Sequence, residues 1–143
     1  MEIVDVKPGD PRLATELLPV LRELRPHLTG ELFGQVYEEG HAQGLRFTAA
    51  YTDEGVCAGV AGWRVIVNTS TLRQLYVDDL VTSAAVRSGG VGRALLAHLE
   101  GCARALGCHE LALDSGTHRT DAHRFYLRER MSIAAFHFRK PLD

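Results

Sequence analysis

Gly89, Gly90 and Gly92 occupy three of four consecutive positions, directly ahead of a strongly patterned helical run. Glycine is costly to order and poor inside helices, so three of them here set a severe local constraint. Upstream, Leu72, Leu75, Tyr76, Val77, Leu80 and Val81 mark residues 71–82 as a strand. Downstream, Val91, Leu95, Leu99, Cys102 and Leu106 share one helical face that stops at Gly107. A strand, a glycine turn and a helix N-terminus together form a place where backbone amides and the helix dipole meet an anion. The same glycines also suit a plain tight turn, and local sequence fits both readings.

Known phosphate motifs narrow the choice. No Gly-Lys-Ser or Gly-Lys-Thr occurs, so the P-loop pattern fails. The dinucleotide fingerprint starts at Gly90 and Gly92 but meets Leu95 at its third glycine, and it follows a meander rather than opening a βαβ unit.

The remaining elements define the fold class. Residues 2–6 read as a short strand, and Asp10-Pro11 as the cap and first position of a helix carrying Leu13, Leu17, Leu18, Leu21 and Leu24. Arg25-Pro26 ends that helix, and a weaker one covers residues 30–39. Residues 45–51, 56–67 and 71–82 form a three-strand meander. Residues 110–113 are a short strand, Thr120 caps a helix with Ala122, Phe125 and Tyr126, and residues 133–139 read as a last strand. This order is α+β (or α/β), a sheet covered by helices. In residues 71–82 the apolar parity changes across Asp78-Asp79. A β-bulge produces that change, and a strand buried on both faces reads much the same.

The 143 residues suit one domain, 1–143, with neither linker nor repeat. A formal net charge of -2 argues against an electrostatic nucleic-acid binder. Cys57, Cys102 and Cys108 form neither a disulfide framework nor a zinc pattern, and Cys102 and Cys108 read as small core residues. The seven histidines show no zincin spacing, so no metal is expected. The N-terminus lacks a signal-peptide pattern and no run reaches membrane-spanning length, which sets the expectation of a cytoplasmic protein without a membrane partner. Asn68-Thr69-Ser70 then reads as a turn rather than a glycosylation site.

Arg87-Ser88-Gly89-Gly90-Val91-Gly92 resembles the [RQ]xxGx[GA] signature of the GNAT superfamily of acyl-CoA-dependent N-acetyltransferases. LYVDDLVTSAAV looks like that family's fourth strand, and DAHRFYLRE like its last helix. The C-terminal third is most similar to small-amine acetyltransferases of the aminoalkylphosphonate type, through LDSGTHRTDAHRFYLRERMSI and FHFRK. The resemblance implies a mixed central sheet of about six to seven strands with about four helices. Many relatives carry Gly-Phe where this chain has Met131-Ser132, which puts the final turn and the nearby acceptor wall in doubt.

It further implies acetyl-CoA as co-substrate and an amine as acceptor. Backbone amides of Arg87, Ser88, Gly89, Gly90, Val91, Gly92 and Arg93 would hold the pyrophosphate. Leu80, Val81 and Thr82 would pair with the pantetheine arm, with Ser115 and Phe125 completing the cofactor site. Tyr126 matches the family's general acid, and Asp78 or Asp79 its carboxylate base. His118 and His123 flank the last helix's start, near enough in sequence to touch either substrate. Transfer by direct attack in a ternary complex needs no covalent enzyme intermediate. The alternative is an acyl-CoA sensor of the same fold without turnover.

The acceptor is open at this level. Residues 1–43 carry eight acids and four bases, a net -4, which fits a cationic amine or simply solvated helix faces. A phosphonate-bearing amine would instead draw on Arg46, Arg64 and Arg73, and a protein amine is a third option. Residues 133–139 would serve a homodimer, as the C-terminal strand does in many relatives.

Overall fold

The structure, a computed structural model, describes the backbone of residues 1–143 and the side chains of all but Arg87 and Ser88. Two compact units divide the chain, Met1–Ala112 and Leu113–Asp143.

The first unit is built on a sheet of order β1-β2-β3-β4-β5. Strand β1 (Glu2–Val6) pairs antiparallel with β2 (Arg46–Tyr51), β2 with β3 (Cys57–Asn68), and β3 with β4 (Leu72–Thr82). After helix α3 (Val91–Ala105) crosses over, β5 (Glu110–Leu113) takes the place beside β4. There the His109 amide donates to the Arg73 carbonyl at 2.8 Å. Asn68 Oδ1 accepts from the amides of Ser70 and Thr71 and from the Thr71 hydroxyl, so the expected turn between β3 and β4 is braced by this side chain.

Alternation along the strands splits the core into two layers. One face carries Val6, Phe47, Ala49, Val60 and Val81. It packs against Leu13 and Leu17 of a wide π-type turn (Leu13–Leu17), Val20 and Leu21 of α1 (Leu18–Leu24), and Phe33 and Tyr37 of α2 (Gly30–Ala42). The Tyr37 hydroxyl donates to the Val6 carbonyl and accepts from the Phe47 amide, tying α2 to β1 and β2. The helical run starts at Leu13 with Arg12 as its N-cap, so Asp10 and Pro11 are not the cap and first helical position the sequence suggested. The Asp10 carboxylate instead accepts from the Arg12 amide at 2.9 Å in the turn ahead. On the opposite face, Val91, Leu95, Leu96 and Leu99 of α3 are buried. Full burial of each such side chain is worth about 1.5–3 kcal/mol.

The second unit holds α4 (Thr120–Arg128), whose N-cap is Arg119. Thr120 is therefore the first helical residue and not the cap the sequence suggested. Past α4 the Met131 amide bonds the Tyr126 carbonyl, and Arg130 adopts a positive φ of 66°.

Two expectations are corrected here. Residues 133–139 are not a strand, and among the described residues the sheet has five strands, against the six to seven expected. Alternation shows only that a segment can sit on a sheet. A ladder also needs a neighbouring strand to supply donors and acceptors, and the single chain gives residues 133–139 none.

Candidate active site

The parity change in β4 is a bulge. Trp63 of β3 faces Val77, and the next residue back, Gly62, faces Asp79, so Asp78 is left without a partner. Gly62 makes room for this arrangement. A Cβ there would lie 2.7 Å from Phe47 Cε1 and 3.3 Å from Asp79 Oδ2. The extra residue turns Asp79 onto the face covered by α1 and α2, where the strand alone would have alternated away.

Each bulge carboxylate has an arginine. Arg64 Nε stands 2.9 Å from Asp78 Oδ2, and Arg25 Nε stands 2.9 Å from Asp79 Oδ1. Arg25 also donates through Nη2 to the Asp78 carbonyl at 3.2 Å. Burial pushes the Asp78 carboxyl above its ordinary value, with the Arg64 guanidinium opposing that rise. Asp79 is the more enclosed of the two, its side chain 17% exposed.

The arginines expected to await an anionic acceptor are otherwise engaged. Arg64 braces Asp78. Arg46 Nη1 donates to the carbonyls of His41 and Leu45, and Arg73 Nε to that of Leu106. The acids of the N-terminal region are likewise partly used within the fold. Glu23 accepts from the Ala84 amide at 2.8 Å, and Asp5 from the Thr48 hydroxyl at 2.7 Å.

From the bulge, β4 runs through Leu80, Val81 and Thr82, which lie opposite Ala61, Val60 and Gly59 of β3. On its other side, β5 has four residues beginning near Arg73, a length of roughly 13 Å. Such a strand accompanies only the first half of an eleven-residue neighbour, and the backbone edge at Leu80–Thr82 extends beyond its end.

The chain then passes a short 3-10 segment (Ala84–Gly89) and reaches Gly90, the N-cap of α3, in the left-handed conformation at φ 71°. A Cβ at Gly90 would meet nothing within 4 Å, so glycine serves backbone conformation here. Helix geometry leaves the first-turn amides without intrahelical acceptors. The Ala94 amide donates to the Gly90 carbonyl at 3.0 Å. Gly89, Gly90, Val91, Gly92 and Arg93 thus gather at one helix N-terminus. The side chains of Arg87 and Ser88 lie outside the described residues.

Gly59 sets how close this helix end comes to the sheet. A Cβ on it would lie 2.6 Å from Val91 Cγ1 and 2.9 Å from Leu95 Cδ1.

In the second unit, Phe125 and Tyr126 are neighbours on α4 with ring centroids 5.5 Å apart. Burial raises the Tyr126 phenol above its ordinary value, with the Arg119 charge opposing. Ser115 Oγ is buried without a hydrogen-bond partner among the described residues. His123 Nε2 lies 2.7 Å from the Gly116 carbonyl, a local bond within its own unit.

Sequence reasoning missed Arg25, Glu23 and Gly59. Arg25 read only as a helix terminator beside Pro26, and its pairing spans 54 positions. Gly59 looked like one more small residue in a Val-, Ala- and Gly-rich strand. Cys57 and Cys102 both have thiols raised by burial, Cys57 to about 11, which suits inert core positions. Among the described residues no three His, Cys, Asp or Glu side chains form a metal-binding group, and no helix is long and apolar enough to cross a membrane.

The sequence pattern of the acetyltransferase (GNAT) family matches residues 12–130. The uncharacterized N-acetyltransferase YhdJ of Bacillus subtilis is 33% identical over 128 residues, covering 89% of this chain and 90% of that protein. An aminoalkylphosphonate N-acetyltransferase of Salmonella typhimurium is 39% identical over 66 residues, 46% of this chain and 43% of that one. The fold is shared with an acetyltransferase of Trypanosoma brucei (TM-score 0.77, 20% identity, 99% of both chains). It is also shared with glucosamine-6-phosphate N-acetyltransferase of Arabidopsis thaliana (TM-score 0.77, 19% identity, 99% of this chain and 98% of that). The chain belongs to the GNAT acetyltransferase family.

Proposed function

We propose that residues 1–143 act as one acetyltransferase domain that moves an acetyl group from acetyl-CoA to a small primary amine in a ternary complex. One strand carries this reading. The bulge in β4 presents two carboxylates, and the same strand leads into the glycine-capped N-terminus of α3.

Bound acetyl-CoA supplies an activated thioester carbonyl. The backbone amides from Gly89 to Arg93, around the N-terminus of α3, would hold its pyrophosphate, with Gly90 supplying the left-handed turn into the helix. The backbone edge at Leu80, Val81 and Thr82 aligns the pantetheine arm as an added strand, and a backbone amide past the bulge polarises the carbonyl. By the family resemblance Ser115, whose buried hydroxyl lacks a partner among the described residues, and Phe125 would also contact the cofactor.

The amine nitrogen attacks the carbonyl carbon and the carbon–sulfur bond breaks. The proton lost by the amine passes to Asp79 or Asp78, directly or through water, and the phenol of Tyr126 protonates the departing thiolate. The raised Tyr126 phenol keeps its proton available at neutral pH. The working form is a homodimer in the cytoplasm, and its partners are acetyl-CoA and the amine.

Release of the CoA thiol in the presence of a panel of primary amines tests this reading, with mass spectrometry of the products. Amine-dependent release with a matching N-acetylated product supports it. Acetyl-CoA binding without acetylation of any amine would establish the sensor instead, and no binding at all would defeat both.

A further inference from the structure

Glu23 and Arg25 stand two positions apart at the end of α1 and reach different parts of the chain around β4. Arg25 holds Asp79 and the Asp78 carbonyl at the bulge. Glu23 Oε1 accepts from the Ala84 amide at 2.8 Å, two residues past the end of the strand. Between these two grips lies the backbone edge at Leu80–Thr82. The Glu23 bond takes no part in the proton transfers.

Ala84 opens the 3-10 segment that leads to Gly90. An amide at the start of a helical segment has no acceptor within it, and a serine at the N-cap commonly supplies one. The Ser83 hydroxyl makes no such bond. The acceptor comes instead from Glu23, 61 positions away, and as a carboxylate it gives a charge-assisted bond. The Ser83 amide donates to the Ala58 carbonyl of β3 at 2.8 Å. Two consecutive amides are thus fixed to two different elements, which sets the direction in which the chain leaves β4. The backbone then turns at Val86 (φ -133°, ψ 25°) and at Gly90 (φ 71°) on its way into α3.

We propose that Glu23 is a positioning residue for acyl-CoA: its carboxylate caps the Ala84–Gly89 segment and holds the turn ahead of α3 in the conformation that receives the pyrophosphate. This rests on the cofactor reading above. Glu23 acts through the backbone and does not touch the ligand. Without its bond a smaller fraction of molecules has the turn in place, and apparent affinity falls by that fraction. Arg25, two positions on, acts on the bulge carboxylate. One helix end therefore carries two kinetic signatures, Glu23 in acetyl-CoA binding and Arg25 in turnover.

Calorimetry with acetyl-CoA on the full chain, beside steady-state kinetics with the most active amine of the panel, tests this. Glu23→Ala should weaken acetyl-CoA binding about tenfold and raise its KM to match, with kcat changing far less. Glu23→Gln keeps an acceptor oxygen and should stay within about threefold of wild type. Arg25→Ala should show the opposite split. In amide correlation spectra of the free protein, the Ala84 amide proton should move upfield in Glu23→Ala, and retained dispersion elsewhere shows an intact fold. Unchanged acetyl-CoA affinity in Glu23→Ala overturns the proposal while the cofactor reading stands. An unmoved Ala84 resonance overturns it too, as does a loss that Glu23→Gln shares in full. Failure of the wild type to bind acetyl-CoA would defeat the cofactor reading, and the role of Glu23 with it.

Discussion

Arg25, the last residue before Pro26, holds Asp79 of the β4 bulge at 2.9 Å, across 54 positions of sequence. The residue that caps the end of α1 thereby fixes a candidate base. If Asp79 takes the amine proton, Asp79→Asn should lower kcat/KM by about 10²–10⁴-fold. Arg25→Ala should lower kcat with little change in the KM for acetyl-CoA, because Arg25 positions the carboxylate and does not touch the thioester. Steady-state kinetics on both variants check this, and unchanged kcat in Asp79→Asn would remove that carboxylate from the mechanism.

Asp78 gives a pH signature in stability. Its folded-state carboxyl is raised by burial, so the folded protein holds the proton more tightly than the unfolded chain. Folding stability then declines as pH rises from the ordinary carboxylate value through the raised one. Asp78→Asn lacks that decline. The stability difference, wild type minus variant, should therefore move against the wild type across this window in urea titrations at several pH values.

Tyr126 separates chemistry from binding. The Tyr126→Phe substitution should reduce kcat by roughly 10²–10⁴-fold while acetyl-CoA affinity, read by calorimetry, stays nearly constant. Since burial raises the phenol, the wild-type alkaline limb should lie above the ordinary tyrosine range. An alkaline limb near neutrality that survives in the Tyr126→Phe variant would belong to another group.

Gly59 and Gly90 support the cradle in different ways. Gly59→Ala forces Val91 and Leu95 away from the sheet, an overpacking cost of about 1–3 kcal/mol. Val91→Ala in the same chain should recover part of it. Gly90→Ala meets no atom and costs only the left-handed conformation, about 1–2 kcal/mol. Both should weaken acetyl-CoA binding, seen by thermal denaturation and calorimetry side by side.

Local pattern carries much of this fold. The glycine run and the apolar face after it place α3 and its N-terminus, and the parity change at Asp78-Asp79 locates the bulge while leaving a doubly buried strand as an alternative. Long-range pairings are not legible. Nothing near Arg25 in sequence points to Asp79, and Arg64 looks free for an acceptor until its contact with Asp78 is seen. Residues 133–139 show the converse. Their alternation is that of a strand, but alternation does not supply the neighbouring strand a ladder needs, and among the described residues they form none.

Initial velocities with acetyl-CoA and a primary amine both varied test the central claim most directly. Direct attack in a ternary complex predicts intersecting double-reciprocal lines, together with one N-acetylated amine per CoA released. Parallel lines would mean an acetyl-enzyme intermediate, and CoA release without acetylated amine would mean no transfer; either result contradicts the account.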